Sequence, residues 1–392
     1  MPRVLSIATL YPNAHVPRFG TFVARQMEAL AARGDWEVTV INPIGVPPLP
    51  FGKYKSLAAA AVSGEEAGVD VRRPRFTLIP GIGGPINPAM IARAVLPIAE
   101  RLHFAAPFDL VDAQFFYPDG PAAARMALAL GLPLSVKARG ADISHWGGKA
   151  YAAAMMRAAG TQAAGLLAVS EALAQDMAKL GLPRQKITVH YTGLDRELFR
   201  VRDRLAERGW LAENYGIALR EDERLVACVG ALIPRKGQEH VLRALAALRD
   251  VHGIFVGTGP DRDALAKLAH ELDLSARVYF LGSLDHGALP RVLAAADAMV
   301  LPSQSEGLAN AWVEALACGT PLVITEAGGA RELVNQPSAG RIVARDAQAI
   351  ALGVQEVLDS AYAPRDVAAN VSRFSWEANA AALAEYYSAM IR

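Results

Sequence analysis

Short apolar runs alternate with stretches of helical period along the whole chain. In its first half the runs are VLSIATL (4–10), WEVTVIN (36–42), DLVDAQ (109–114), PLSVKAR (133–139), GLLAVS (165–170) and ITVHY (187–191). In its second they are LVACVGAL (225–232), GIFVGTG (253–259), RVYFLG (277–282), AMVLPS (298–303), PLVITE (321–326) and GRIV (340–343). Between them lie segments such as FVARQMEALAARG, EALAQDMAKLG and GQEHVLRALAALR, whose apolar positions recur with helical spacing. Runs that are apolar throughout predict strands covered on both faces, so the alternation predicts parallel sheets sandwiched by helices. Two sets of about six strands imply an α/β protein of two Rossmann-like domains. Residues 44–90, rich in Pro and Gly, predict no regular element and read as a functional or mobile loop. The charged stretch RDRLAERGWLAENYG reads as a connector ahead of the second sheet.

Length agrees, since 392 residues suit two domains of nearly 200 each better than one core. No uncharged apolar run is long enough to suggest a membrane span, and MPRVLSIATLYP reads as a first buried strand rather than a signal peptide. The two cysteines, Cys228 and Cys318, fall in a strand and a helix without metal-ligand spacing. They point to core packing and a cytoplasmic location, not a disulfide framework. The net charge of +1 is unevenly distributed. Residues 1–190 hold 19 Lys and Arg against 13 Asp and Glu, and residues 191–392 hold 21 against 26. A basic first half suits an anionic acceptor or peripheral contact with the inner face of the cell membrane. The contact candidates are Lys53 and Lys55 beside Tyr54, and Arg72, Arg73 and Arg75. No basic stripe or zinc motif supports nucleic-acid binding.

Two loops carry the chemistry. Glu306 follows the strand AMVLPS and precedes a helix that bears Glu314 about two turns on. A carboxylate accepts two hydrogen bonds and so suits the vicinal diol of a sugar or ribose. The backbone N–H groups of Gly307, Leu308 and Ala309 precede the same helix and suit an anion. Upstream, Arg235 and Lys236 stand together between a strand and a helix, a fork and a point charge aimed at phosphate oxygens. Gly20 and Thr21 open a helix after the first strand and can bring N–H groups near a phosphate. The one D-x-D match, Asp261-Arg262-Asp263, opens a helix and reads as dipole compensation, so no metal is expected.

The ordered series VGALIPRKG, GTGP, FLG, PSQSEG and EALACGTP, with Gly328, Gly329 and Glu332 following, resembles the nucleotide-binding half of GT-B glycosyltransferases. The resemblance is to the large retaining family marked by E-x7-E, glycosyltransferase group 1 and family 4. It implies a GT-B fold, two Rossmann-like domains with parallel sheets facing an interdomain cleft. The expected divisions are an acceptor domain at 1–190, a nucleotide-sugar domain at 191–372, and a helix at 373–392 crossing back to the first. YTGLDRELFR (191–200) resembles the family's hinge segment. The donor implied is a nucleoside-diphosphate sugar, UDP or GDP, as substrate and with no cofactor; the acceptor is a glycan or lipid-linked glycan.

By the same resemblance, Arg235 and Lys236 bind the pyrophosphate, Glu314 the ribose and Glu306 the transferred sugar. Gly20, Gly230, Gly259, Leu281 and Asn310 complete the donor set, with backbone groups near Phe280–Gly282 reading the base. On the acceptor side the resemblance covers Arg139 and Asp142; Asp119, Ser170 and His145, three residues beyond Asp142, are further cleft candidates, with a lone surface histidine the stronger reading of His145. At KARGAD the family commonly reads H-G-x-D, whereas this chain has Arg139. An arginine stays protonated and cannot act as a base, but it can hold a diphosphate or an acidic acceptor. Two other readings compete: a non-catalytic sugar-nucleotide-binding partner, and a dinucleotide-dependent oxidoreductase. The second lacks a G-x-G-x-x-G after the first strand.

Overall fold

A computed structural model describes residues 1–285 and 287–391. The chain divides into two compact units, Met1–Gly193 with Trp376–Arg392, and Leu194–Ser375. The divisions thus fall at 193/194 and 375/376, three residues beyond the 190/191 and 372/373 expected.

The first unit contains β1 (Arg3–Ile7), β2 (Glu37–Ile41), β3 (Ile44–Val46), β4 (Gly64–Glu66), β5 (Val69–Arg72), β6 (Arg75–Thr77), β7 (Leu110–Ala113), β8 (Leu134–Ala138), β9 (Gly165–Ala168) and β10 (Ile187–Val189). Eight of them form one sheet in the order β10-β9-β8-β7-β1-β2-β5-β4, while β3 and β6 pair separately. All neighbours are parallel except β4 and β5. Apolar residues of β1, β7, β8 and β9 are wholly buried, as runs without alternation require. The helix Trp376–Met390 closes this unit: Leu383, Ala384 and Tyr387 pack with Val23, Met27 and Leu30 of the helix Thr21–Ala32.

The second unit contains β11 (Arg224–Val229), β12 (Val251–Val256), β13 (Val278–Gly282), β14 (Ala298–Leu301), β15 (Leu322–Thr325) and β16 (Gly340–Val343). Their order is β13-β12-β11-β14-β15-β16, parallel throughout. Strand order therefore reverses between β11 and β14, and in the first unit between β1 and β7. In open parallel sheets that point, at the carboxyl ends of the strands, is where ligands bind. Among the described residues no helix is long and apolar enough to cross a membrane.

Two expectations need correction. Residues 44–90 are not irregular: they supply β3 to β6, the helix Lys53–Ala59 and the start of the helix Asn87–Ala105. Strands of three or four residues leave no periodic trace, and partners far along the chain decide them. The connector reading of 202–216 also fails, because Arg204–Tyr215 is a helix capped by Asp203, whose carboxylate accepts from the Ala206 N–H at 2.9 Å. Its docking face is charged. Arg208 reaches Asp297 at 2.5 Å and Arg291 reaches Glu207 at 2.6 Å, with Leu211 as the buried apolar contact. Glu207 and Leu211 are the helix's buried residues, so its polar composition reads as a connector.

Candidate active site

The loop after β11 and the loop after β14 meet at the reversal point of the second sheet. A short turn, Pro234–Lys236, places Arg235 and Lys236 just ahead of the helix Gln238–Ala247. Glu306 stands between β14 and the helix Asn310–Ala317. Lys236 Nζ donates to Glu306 Oε1, and Arg235 Nη1 lies 3.6 Å from Glu306 Oε2 while donating to the Ser305 carbonyl. Two cations and a carboxylate thus converge from loops 70 residues apart. The backbones are joined as well, the Gln304 N–H donating to the Arg235 carbonyl at 2.8 Å.

Arg345, which sequence reasoning missed, ties the same loops. Its Nε donates to the Pro302 carbonyl at 2.9 Å and its Nη2 to the Pro234 carbonyl at 2.7 Å. No local signal marks it, since both acceptors are backbone atoms brought there by the fold. Gly328 packs on the other side of the Glu306 loop. At φ 53° a Cβ there would lie 2.3 Å from the Glu306 carbonyl oxygen, so only glycine fits. The adjacent Gly329 N–H donates to the Gly307 carbonyl at 2.8 Å.

Gly307, Leu308 and Ala309 are buried ahead of the helix opening at Asn310. Ala309 offers no side-chain cap; its carbonyl takes the Trp312 N–H at 3.0 Å, and the Asn310 and Ala311 N–H groups head the helix. Glu314 lies one turn into this helix, nearer its start than the sequence suggested. It is half-buried without a hydrogen-bond partner among the described residues, and burial pushes its pKa up to about 7. Gly230 ends β11, its N–H donating to the Val256 carbonyl at 2.9 Å. Gly259 is needed for close approach, a Cβ there falling 2.1 Å from the Leu232 carbonyl oxygen. Leu281 lies in β13 beside Phe280, whose ring stacks on Phe255 and carries the Arg262 guanidinium 4.2 Å from its centroid. Asp261 precedes the helix Arg262–Glu271 but makes no side-chain cap, leaving only its charge and that of Asp263 to meet the dipole. No group of three His, Cys, Asp or Glu side chains poised to hold a metal occurs among the described residues.

In the first unit the predicted residues gather at the carboxyl edge around β1, β7 and β8, but several face inward. Gly20 begins the helix after β1 at φ 75°. Asp119 is fully buried, accepts from the Thr9 N–H at 2.9 Å and is pushed up to about 7 by burial. Asp142 is also fully buried and accepts backbone N–H groups of Phe116, Arg139, Gly140 and Ile143 at 2.8 to 3.2 Å. Both carboxylates therefore shape loops. Ser170 does likewise, accepting from the Leu173 N–H at the start of the helix Glu171–Lys179. His145 is exposed, its ring edge-on to Trp146. Arg139 donates from Nε to the Gln114 carbonyl at 2.8 Å and from Nη2 to the Gln114 side chain, and lies over Phe22. Burial lowers its pKa to about 10, against the opposing pull of Asp112 and Asp142, so it remains a cation at neutral pH.

Behind Arg139 stands Lys137, fully buried, its Nζ 2.7 Å from Gln26 Oε1 and 2.6 Å from His190 Nδ1. His190 in turn donates from Nε2 to the Asn379 carbonyl at 2.9 Å. Burial holds both Lys137 and His190 well below their ordinary pKa values, which favours a neutral imidazole accepting from the lysine. A lone charge inside the apolar run PLSVKAR was the available signal for Lys137. The three arginines suggested as surface contacts are instead engaged within the unit: Arg72 with Asp70, Arg73 with Glu66, and Arg75 with the Ala58 carbonyl.

Residues 19–198 match the family profile described as glycosyltransferase family 4, and residues 215–374 match that of glycosyl transferases group 1. The chain is 29% identical over 359 residues, 89% of its length and 87% of the relative's, to TuaC of Bacillus subtilis (strain 168). That protein is provisionally named a teichuronic acid biosynthesis glycosyltransferase. Among solved structures, Anabaena Alr3699/HepE in complex with UDP superposes with a TM-score of 0.74 at 22% identity, covering 99% of this chain and 100% of that one. Sucrose-phosphate synthase (tll1590) from Thermosynechococcus elongatus gives 0.79 at 20% identity, covering 99% of both. These likenesses show the fold, a GT-B pair of Rossmann-like domains with parallel sheets.

Proposed function

We propose that this glycosyltransferase, which joins a family 4 domain to a group 1 domain, moves a sugar from a nucleoside diphosphate to a hydroxyl of a glycan or lipid-linked glycan, with retention and without a metal. The observation that carries the reading is the convergence of Arg235, Lys236 and Glu306 at the strand-order reversal of the second unit. Fixed cations there meet the pyrophosphate and stabilise it more as negative charge grows on the leaving group. The Asn310 and Ala311 N–H groups at the head of that helix add to that field. Glu314, half-buried and without a side-chain partner among the described residues, accepts from the ribose hydroxyls, and Glu306 from hydroxyls of the transferred sugar.

In this reading the anomeric C–O bond to the diphosphate breaks while the acceptor oxygen bonds the same face of that carbon. The acceptor proton passes to the departing phosphate oxygen. No enzyme base is required, which is why a cation at Arg139, where a histidine is usual, leaves the reaction open. The first unit binds the acceptor, and the Arg139 cation holds an acidic group of it. UDP is the favoured base carrier, since a structural relative binds it, with GDP the alternative. The relative named for teichuronic acid synthesis supports a bacterial polysaccharide or glycolipid product. A lipid-linked acceptor would bring the first unit to the cytoplasmic face of a membrane.

The test is calorimetric titration with UDP and GDP, followed by incubation with their sugars and assignment of the anomeric configuration of the product by NMR. The expected result is one tight nucleotide, product of retained configuration in the presence of a chelator, and loss of binding in Lys236→Ala. Donor binding without hydrolysis or transfer to any acceptor would favour an idle binder, and an inverted product would overturn the retaining mechanism.

A further inference from the structure

The β3–β6 ladder extends the β2–β5 pair past the carboxyl edge of the first sheet. The Asn42 N–H donates to the Arg72 carbonyl, the Ile44 N–H to the Pro74 carbonyl and the Leu78 N–H to the Val46 carbonyl, at 2.8 to 3.0 Å. Because β3 and β6 are parallel, the segments that follow them, 47–52 and 78–86, leave the same end side by side. Both carry large apolar side chains into solvent: Leu49 is 83% exposed, Phe51 67% and Ile82 77%, with Ile79 and Ile86 also exposed. Monomeric proteins seldom gather such residues at one tip without a partner.

The surrounding chemistry selects the partner. No Asp or Glu occurs in residues 38–64 or 71–99. Lys53 and Lys55 are exposed on the helix after Phe51, and neither has a carboxylate partner among the described residues. Lys53 lies over the Tyr54 ring, which packs edge-on to Phe51, so cation, amphipathic ring and apolar tip are contiguous. In PPLPFG, Pro47, Pro48 and Pro50 have no N–H to desolvate, and Pro80 and Pro85 recur in the second segment. A stiff backbone poor in donors enters an apolar interface at little polar cost. A protein groove would instead reward free N–H groups and paired charges.

We infer that segments 47–55 and 78–86 form a tip that inserts into the interfacial region of a bilayer containing anionic lipid, Lys53 and Lys55 meeting the headgroups. This rests on the lipid-linked acceptor reading. Flotation of the full chain with phosphatidylcholine vesicles, with and without about one third phosphatidylglycerol, tests it. Binding is expected on the anionic vesicles and is expected to weaken with salt. Lys53→Glu with Lys55→Glu should cut the partition coefficient by about fivefold or more per lysine on anionic vesicles and have little effect on neutral ones. Leu49→Ser, Phe51→Ser and Ile82→Ser combined should reduce it at least about tenfold on both. Phe104→Ser with Leu128→Ser, equally exposed side chains on other helices, should leave it unchanged. No vesicle binding by the full chain, equal loss in the Phe104 and Leu128 control, or self-association abolished by the tip variants would overturn the inference. UDP thermal stabilisation is measured on every protein, so failure of the donor reading is seen apart from failure of this one.

Discussion

Replacing Glu306 by glutamine separates sugar contact from phosphate contact. In the empty enzyme the carboxylate is shared by Lys236 and Arg235. At 3.6 Å and an effective dielectric of about 20, the Arg235–Glu306 attraction is about 4–5 kcal/mol before screening. The Arg235 side chain is 37% exposed, so solvent reduces this to about 1 kcal/mol or less. The Lys236 and Glu306 side chains are 13% and 9% exposed, and their charged hydrogen bond contributes about 1.5–3 kcal/mol. Glutamine keeps a carbonyl acceptor, so Glu306→Gln should destabilise the empty protein by about 1–3 kcal/mol. That corresponds to a melting point lower by about 3–9 °C for a unit of this size. UDP, however, would then meet two cations with no internal competitor. Its affinity, measured by calorimetry, should stay equal or rise up to about tenfold, while transfer falls by about 10²–10³. A UDP affinity that drops more than tenfold alongside turnover would refute the assignment, since Glu306 would then be holding the nucleotide rather than the sugar.

Glu314, with its pKa raised from the usual carboxylate range to about 7, favours the protonated form in the empty fold. The contribution of this group to stability is therefore greatest at about pH 4.5 and below, where the unfolded group is also protonated, and it falls by about 1–3 kcal/mol as pH rises to 7. Ribose hydroxyls favour the carboxylate, so UDP binding near pH 7 should release a proton, seen as a buffer-dependent heat that Glu314→Gln abolishes. Gly328→Ala pushes a Cβ into the Glu306 carbonyl and should lower both thermal stability and transfer; wild-type values for both would show that the loop gives way freely. Arg139→Ala should lower transfer to an acidic acceptor at least about tenfold while leaving UDP affinity near wild type, and unchanged turnover would remove the case for this residue.

Six strands of each central sheet were legible as apolar runs, a property of the local sequence, and in β1, β7, β8 and β9 those runs are buried on both faces. The meeting of Arg235, Lys236 and Glu306 was legible for a related reason, as charges stand out in the loops after such runs. What the sequence could not supply was anything depending on partners far along the chain. Strands as short as Gly64–Glu66 exist through pairing alone, and the helix Arg204–Tyr215 docks through ion pairs around a single buried leucine, Leu211. Arg345 is defined by two distant carbonyls, and Asp142, expected on the acceptor side, is enclosed by four backbone N–H groups. Composition and period determine which segments are buried and which groups are charged. Only the tertiary structure decides which charges meet, because strand order, a long-range property, sets which loops share an edge.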